Sequence, residues 1–263
     1  MAVTISRNLL FSQLIWQMAV RELRGRFAGS AMGLFWSVIH PLITLALWTF
    51  VFSYILKIRF GNGGITEFAL YLFCGMAPYL SFQEIVQNCT VSVTSRSQMV
   101  KTLVFPIYTV PFSIALASLF TQMIALGILS IAIAIKHPPF PVYLPLVVPL
   151  ALVLTLFALG LGLITCTLHV FFRDTAQLVG VLLMIWLYAT PIFYSSEHIP
   201  ESFRFLLYLN PLAYLVNIYR SLLLVHKVPS FEGLLIFVSV SALTFLIGSA
   251  VYKRNYPKFI DEL

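Results

Sequence analysis

A chain of 263 residues that is 60% hydrophobic and only 10% charged, with a mean hydropathy of +0.96, lacks the roughly 25% of charged residues that surface a soluble domain. Its apolar residues come in long blocks, each able to cross a hydrocarbon core of about 30 Å with about 20 residues, so a soluble globular protein is excluded and an all-α integral membrane protein is expected. The net charge of +7 is not a nucleic-acid signal, because the cations sit at the ends of apolar blocks, where Lys and Arg mark the cytoplasmic side.

The first element is an amphipathic helix over residues 8–27. Gln13, Gln17, Arg21 and Arg24 fall on one stripe at three- and four-residue spacing, while Leu9, Trp16, Val20, Leu23 and Phe27 lie away from it. Such a helix lies in the membrane interface or packs on the protein. Glu22 and Arg26 are spaced to pair across one turn. Gln13 and Gln17 interrupt the apolar run, and arginines follow it instead of a cleavage site, so no signal peptide is expected here. Residues 1–30 therefore read as a cytoplasmic interface helix and 31–263 as the transmembrane domain.

Seven apolar blocks follow, at about 32–56, 68–86, 103–135, 142–170, 176–194, 205–225 and 230–252. Arg21, Arg24 and Arg26 precede the first block, and Lys253, Arg254 and Lys258 follow the last. Both clusters are expected in the cytoplasm, and two cytoplasmic ends require an even number of crossings. The block at 205–225 is the weakest, because it holds Asn210-Pro211, Asn217 and Arg220. Arginine at a bilayer centre costs at least about 2.5–3.5 kcal/mol on insertion scales, and proline disfavours helix at the residue before it. Six transmembrane helices are expected, with residues 200–226 forming two short re-entrant helices on the outer side. The loop 89–102, with Arg96 and Lys101, and the turn Phe172-Arg173-Asp174 then fall inside; Lys57, Arg59, Lys136 and Lys227 fall outside.

Chemistry on this chain is sparse. No phosphate-cradling G-x-x-x-x-G-K-[ST], no G-x-S-x-G and no H-E-x-x-H occurs. Cys74, Cys89 and Cys166 are odd in number and widely spaced, which suits small buried hydrophobes better than a metal site or disulfides. His40 precedes Pro41, which is expected to kink the first span. Glu84, beside Gln83 and Gln87, reads as a boundary residue, and no span carries the several acids of a proton pathway. The aromatic set Trp48, Phe52, Tyr71, Trp186 and Tyr188 could stack on sugar rings in a pore; packing or lipid contact remains open for each member.

The run Arg21-Glu22-Leu23-Arg24-Gly25-Arg26-Phe27-Ala28-Gly29-Ser30-Ala31-Met32-Gly33-Leu34-Phe35-Trp36, followed by His40-Pro41, resembles the start of polysaccharide-export permeases of the type-2 ABC exporter family. The resemblance continues at Phe172-Arg173-Asp174, Thr190-Pro191-Ile192 and Leu209-Asn210-Pro211-Leu212, with Met32 where leucine is expected. It implies a half-transporter of the bacterial inner membrane that works with a second copy of itself and two copies of an ABC ATPase subunit. The partner would bind ATP and Mg, so this chain would carry no cofactor and would not itself be an enzyme. The implied substrate is a polyprenyl-linked glycan, foremost an O-antigen, with capsule and teichoic acid as alternatives. Arg24 and Arg26 would meet its diphosphate on the inner side. Arg96, Lys101, Phe172, Arg173 and Asp174 would couple to the ATPase, and Asn210, Pro211 and Arg220 would belong to an outer gate. Other readings are an exporter of drugs or small lipids, a membrane-embedded glycan- or lipid-modifying enzyme, which would need a cluster of catalytic acids or histidines, and a passive channel.

Overall fold

Blocks of Leu, Ile, Val, Phe and Ala bring no polar side chains to meet their own backbone, so the backbone must pair within the segment, and in hydrocarbon that means a helix. The computed structural model describes residues 2–26, 28–55, 57, 64–98, 106–136, 144–195 and 199–262, and among them no strand occurs. Helix α1 (Ala2–Arg26) leads into α2 (Trp36–Thr49), which continues through π-type turns over Phe50–Ile55. Next come α3 (Ile65–Val91), α4 (Thr109–Lys136) and α5 (Val147–Phe171). The chain ends with α6 (Thr175–Ala189), α7 (Phe205–Leu209), α8 (Pro211–Leu223), α9 (Phe231–Asn255) and α10 (Phe259–Glu262).

Among the described residues, five helical stretches are long and apolar enough to cross a membrane: Trp36–Ile55, Ile65–Val91, Thr109–Lys136, Val147–Phe171 and Phe231–Lys258. The block expected to span over 176–194 forms the shorter α6, 15 residues long, or about 22 Å. The reason is local. Pro191 forces Thr190 out of the helical region, to φ −91° and ψ 135°, and the helix stops at Ala189. The block over 205–225 is broken where Asn210-Pro211 predicts it, into α7 and α8. Asn210 caps α8 by accepting from the Leu212 N–H at 3.0 Å, and Pro211 occupies the first turn, where its missing N–H costs nothing.

The centre of the bundle is α5, packed against α3 and α9. Gly160 and Gly162 explain why one helix touches both: two residues turn a helix by about 200°, so the two glycines face nearly opposite sides. A methyl group on Gly160 would fall 2.7 Å from the Phe245 backbone of α9, and one on Gly162 would fall 2.7 Å from Cβ of Cys89 on α3. On the other side of the first crossing, a Cβ on Gly248 would sit 2.2 Å from the Gly160 carbonyl oxygen. Small residues let helix backbones approach where apolar surroundings offer no hydrophobic drive. Aromatic rings fill the space further along. Phe82 of α3 stacks on Phe157 of α5 at 5.5 Å, and Trp186 of α6 meets Phe82 edge-on at 5.2 Å.

The described segments nearest the two termini, around Phe11 and Tyr256, meet at one end of the bundle. Tyr108, just before α4, contacts Phe11 of α1 at 5.3 Å and Tyr256 after α9 at 6.5 Å. Helix α1 packs along α4, with Ala19 buried and Gln13, Gln17, Arg21 and Arg24 exposed as one polar stripe. Trp16 is also exposed, whereas Leu9 and Phe27 lie outside the described side chains.

The glycine crossing is testable by a pair of substitutions. Gly248→Leu should lower both the thermal midpoint of the purified protein and its yield in membranes, read by fluorescence-detected size exclusion after heating. Gly127 has nothing within 4 Å of an added Cβ, so Gly127→Ala should be neutral or stabilise by about 0.5–1 kcal/mol through helix propensity. A Gly248→Leu protein as stable as the parent would remove the close crossing as a source of stability.

Candidate functional site

The first cluster forms where α6 gives way to α8. Four consecutive carbonyls, residues 189–192, leave the helix here and need donors. The Ala189 oxygen accepts from Asn210 Nδ2 at 3.3 Å, and that of Thr190 accepts from the Ile192 N–H at 2.7 Å. Those of Pro191 and Ile192 accept from the two terminal nitrogens of Arg220, at 2.7 and 2.9 Å. Asn210 uses its whole capacity: Oδ1 accepts from Trp186 Nε1 at 2.9 Å and from the Leu212 N–H, while Nδ2 also reaches Thr190 Oγ1 at 3.0 Å. Arg220 is buried. Its guanidinium lies over the Tyr71 ring of α3, 3.5 Å from the centroid, a contact worth about 2 kcal/mol when desolvated. One turn on, Gly75 leaves room for Ile192 and Arg220, which an added Cβ would meet at 3.3 and 3.4 Å.

The second cluster lies toward the end of the bundle where Phe11 and Tyr256 meet. Glu22 and Arg26 do not pair with each other across the turn, as their spacing suggests. Each reaches off the helix: Glu22 to Arg96 at 2.6 Å, and Arg26 to Glu84 of α3 and to Ser118 Oγ of α4 at 3.0 Å. A charge taken from water finds a longer-range partner where burial lowers the local dielectric. Arg26 and Glu84 form part of the wall of a cleft of about 620 Å³. The cleft runs between the end of α1, the start of α2 and the facing sides of α3 and α4, with Trp36, His40, Gln87 and Gln122 among its lining.

The residues singled out in the sequence occupy different surroundings. Arg26 lines the cleft, whereas Arg24 is exposed on the outer side of α1. Phe172, Arg173 and Asp174 form an exposed turn, with Phe172 68% exposed, which is unusual for a phenylalanine in a polar turn. Thr175 Oγ1 donates to the Phe172 carbonyl at 2.6 Å and fixes that turn. Arg96 is partly covered by its pair with Glu22; Lys101 and Arg59 lie outside the described residues. Among the aromatics, Phe52 stacks on Phe193 at 5.1 Å and Trp48 meets the same ring at 4.7 Å. Tyr71 supports Arg220, Trp186 donates to Asn210, and Tyr188 is 53% exposed.

Sequence reading took Glu84 only as a boundary residue and Thr190 only as part of a motif, and passed over Gly75 and Gln122. Glu84 carried a usable signal, since an acid at the end of a span needs a partner. Its partner is 58 positions away, beyond any local pattern.

The sequence profile described as ABC-2 type transporter matches residues 13–224. The O-antigen export system permease protein RfbA of Myxococcus xanthus is 25% identical over 260 residues, 98% of this chain and 96% of that protein. A protein of the same name from Klebsiella pneumoniae is 26% identical over 244 residues, 92% of each chain. The polysialic acid transport protein KpsM of Escherichia coli is 23% identical over 238 residues, 90% of this chain and 91% of that protein.

Replacing Arg220 tests the first cluster. Arg220→Met removes the donors to two buried carbonyls, each costing about 1–3 kcal/mol when left unpaired, and should lower the thermal midpoint strongly. Arg220→Lys keeps the charge but not the fork that spans both oxygens, so its midpoint should fall between the two.

Proposed function

This chain belongs to the ABC-2 type transporter family, and from that premise we propose that it is the permease subunit of an ABC exporter that moves a cell-surface polysaccharide, foremost an O-antigen, across the bacterial inner membrane. The observation that carries this reading is similarity to O-antigen export permeases over 98% of the chain. Similarity to a polysialic acid transport protein supports a long glycan as cargo. The chain would pair with a second copy and with two ATPase subunits, which bind ATP and Mg.

In this reading the chain crosses the membrane six times, by the five long helices and the shorter α6, with both ends in the cytoplasm. Contacts of Tyr108 with both terminal segments support that parity. Helices α7 and α8 dip in from the outside and return at Asn210-Pro211, while Asn210 and Arg220 satisfy the backbone that leaves the end of α6. Helix α1 lies along the inner interface, with Arg24 toward lipid headgroups and Arg26 at the entrance beside Glu84. The exposed Phe172-Arg173-Asp174 turn and the segment around Arg96 and Lys101 receive the ATPase. The aromatics Trp48, Phe52, Tyr71, Trp186 and Tyr188 stand along the upper path of the glycan.

Deletion of the gene should remove one surface polymer and leave it accumulated inside, seen by immunoblot of intact and lysed cells; unchanged surface polymer would defeat the export reading. Arg173→Glu should reduce recovery of the ATPase with the permease by affinity capture, because it reverses charge on an exposed turn without breaking an ion pair found in the fold. Reporter fusions after Asp174 should be cytoplasmic, and those after Val228 external.

A further inference from the structure

A second cavity opens where α9 ends. Ser249, Tyr252, Lys253 and Tyr256 stand at positions i, i+3, i+4 and i+7, so they share one face. With Tyr108, Phe112 of α4 and Leu163 of α5 they line a groove of about 550 Å³, within the range of about 300–1,000 Å³ typical of ligand sites. None of these residues lines the cleft beside α1, so the two cavities are separate.

The glycine crossing explains why space is left here. Gly160 and Gly248 hold α5 and α9 in contact, and Phe112 meets Phe245 edge-on at 6.2 Å. Leu163 and Ser249 come next along their helices, and the small Ser249 side chain does not fill the gap. Tyr252 is buried against the protein, whereas Tyr108 and Lys253 are exposed. Helix α9 also exposes Leu243, Leu246 and Ile247, an apolar surface of the kind that lies in acyl chains. The groove therefore sits beside hydrocarbon, not beside bulk water alone.

Its charge is uncompensated. Lys253 is the one charged residue in the lining, and it has no ion pair among the described residues. Arg26, in the cleft beside α1, is matched by Glu84. The apolar stem of a lysine can follow such a groove while its ammonium reaches the interface. Tyr108 and Tyr256 each add a phenol donor to the lining. Lysine and tyrosine at an interface are ordinary by themselves. Here they frame a slot whose other walls, Phe112 and Leu163, are apolar.

We propose that this groove holds one phospholipid with a net negative headgroup. Its phosphate meets Lys253, and one acyl chain lies along Ser249, Leu163 and Phe112. A zwitterionic lipid gains less, because its own cation already offsets its phosphate. A free phosphate leaves the apolar walls empty. The bound lipid would brace Tyr108, which contacts Phe11 of α1 at 5.3 Å, and so help to seat the first half of α1. Its place in the inner leaflet rests on the topology proposed above; the match of an anionic head and an apolar chain does not.

The test uses the full-length permease, purified in detergent, with phosphatidylglycerol and phosphatidylcholine of identical acyl chains as probes. Native mass spectrometry reads how much of each is retained. Half-saturation by phosphatidylglycerol should come at about fivefold lower concentration than by phosphatidylcholine, the factor that one lysine contributes near an anionic headgroup. Lys253→Ala should erase this difference. Lys258→Ala, the same change of charge outside the groove, should keep it. Ser249→Phe should lower retention of both lipids by filling the slot, with an unchanged thermal midpoint in lipid-free detergent showing that the fold is kept. Excess glycerol phosphate should displace neither lipid, since it lacks the chains.

Equal retention of the two lipids by the parent protein would overturn the proposal, as would an undiminished preference in Lys253→Ala. A loss as large in Lys258→Ala would show diffuse charge instead of a site. Displacement by glycerol phosphate would remove the apolar half. A disulfide-linked dimer that forms only with Ser249→Cys would give the groove to a second copy of the chain and likewise overturn the proposal. None of these readouts depends on the cargo, so the lipid site and the export reading can fail separately.

Discussion

A backbone carbonyl that leaves its helix in apolar surroundings must find a donor, and the four carbonyls of residues 189–192 impose that demand where α6 ends. Much else follows from how it is met. Arg220 and Asn210 must reach back from α8, so α8 must lie against the end of α6. Tyr71 must lie beneath the guanidinium, and Gly75 must leave it space, so α3 is fixed to the same point. Lysine has donors enough for both carbonyls but presents them from one nitrogen, without the preorganised spacing of the planar fork that meets two separated oxygens at 2.7 and 2.9 Å. The arginine that makes this block the weakest candidate for a span is thus the residue that satisfies the carbonyls at the end of α6.

The rest of the bundle is held by close approach instead of polar contact. Helix α5 presents Gly160 to α9 and Gly162 to α3, and the three backbones pack with no room for a methyl group at either crossing. Such packing is stiff, because interiors at crystal-like density cannot deform by small increments. Helix α1 stands apart from this logic. Beyond its packing on α4, it is tied by two ion pairs and a serine contact, which open and close more readily than a glycine crossing.

The sequence was legible where a rule is local. Pro211 and Asn210 announced a break, and the break is there with Asn210 as cap. The polar stripe of Gln13, Gln17, Arg21 and Arg24 follows from helical spacing and is exposed as one face. Pro191 carried an equally local signal, yet hydropathy over 176–194 outweighed it and stretched the expected helix past Ala189. The pairing of charges was not legible. Glu22 and Arg26 satisfy the four-residue rule for each other, but that rule knows nothing of Arg96 or Glu84, which the fold brings closer. The partners of the aromatics were not legible either: hydropathy marks Tyr71 and Trp186 as intramembrane rings, and only the fold reveals that Arg220 and Asn210 engage them.

The two ion pairs of α1 also join regions that are otherwise distinct. Glu22 and Arg26 are one turn apart on a single helix, yet they end on different partners: Arg96 in the segment after α3, and Glu84 in the wall of the cleft. Two anchors one turn apart fix both the position and the rotation of α1 relative to α3 and the segment after it, which a single pair would not do.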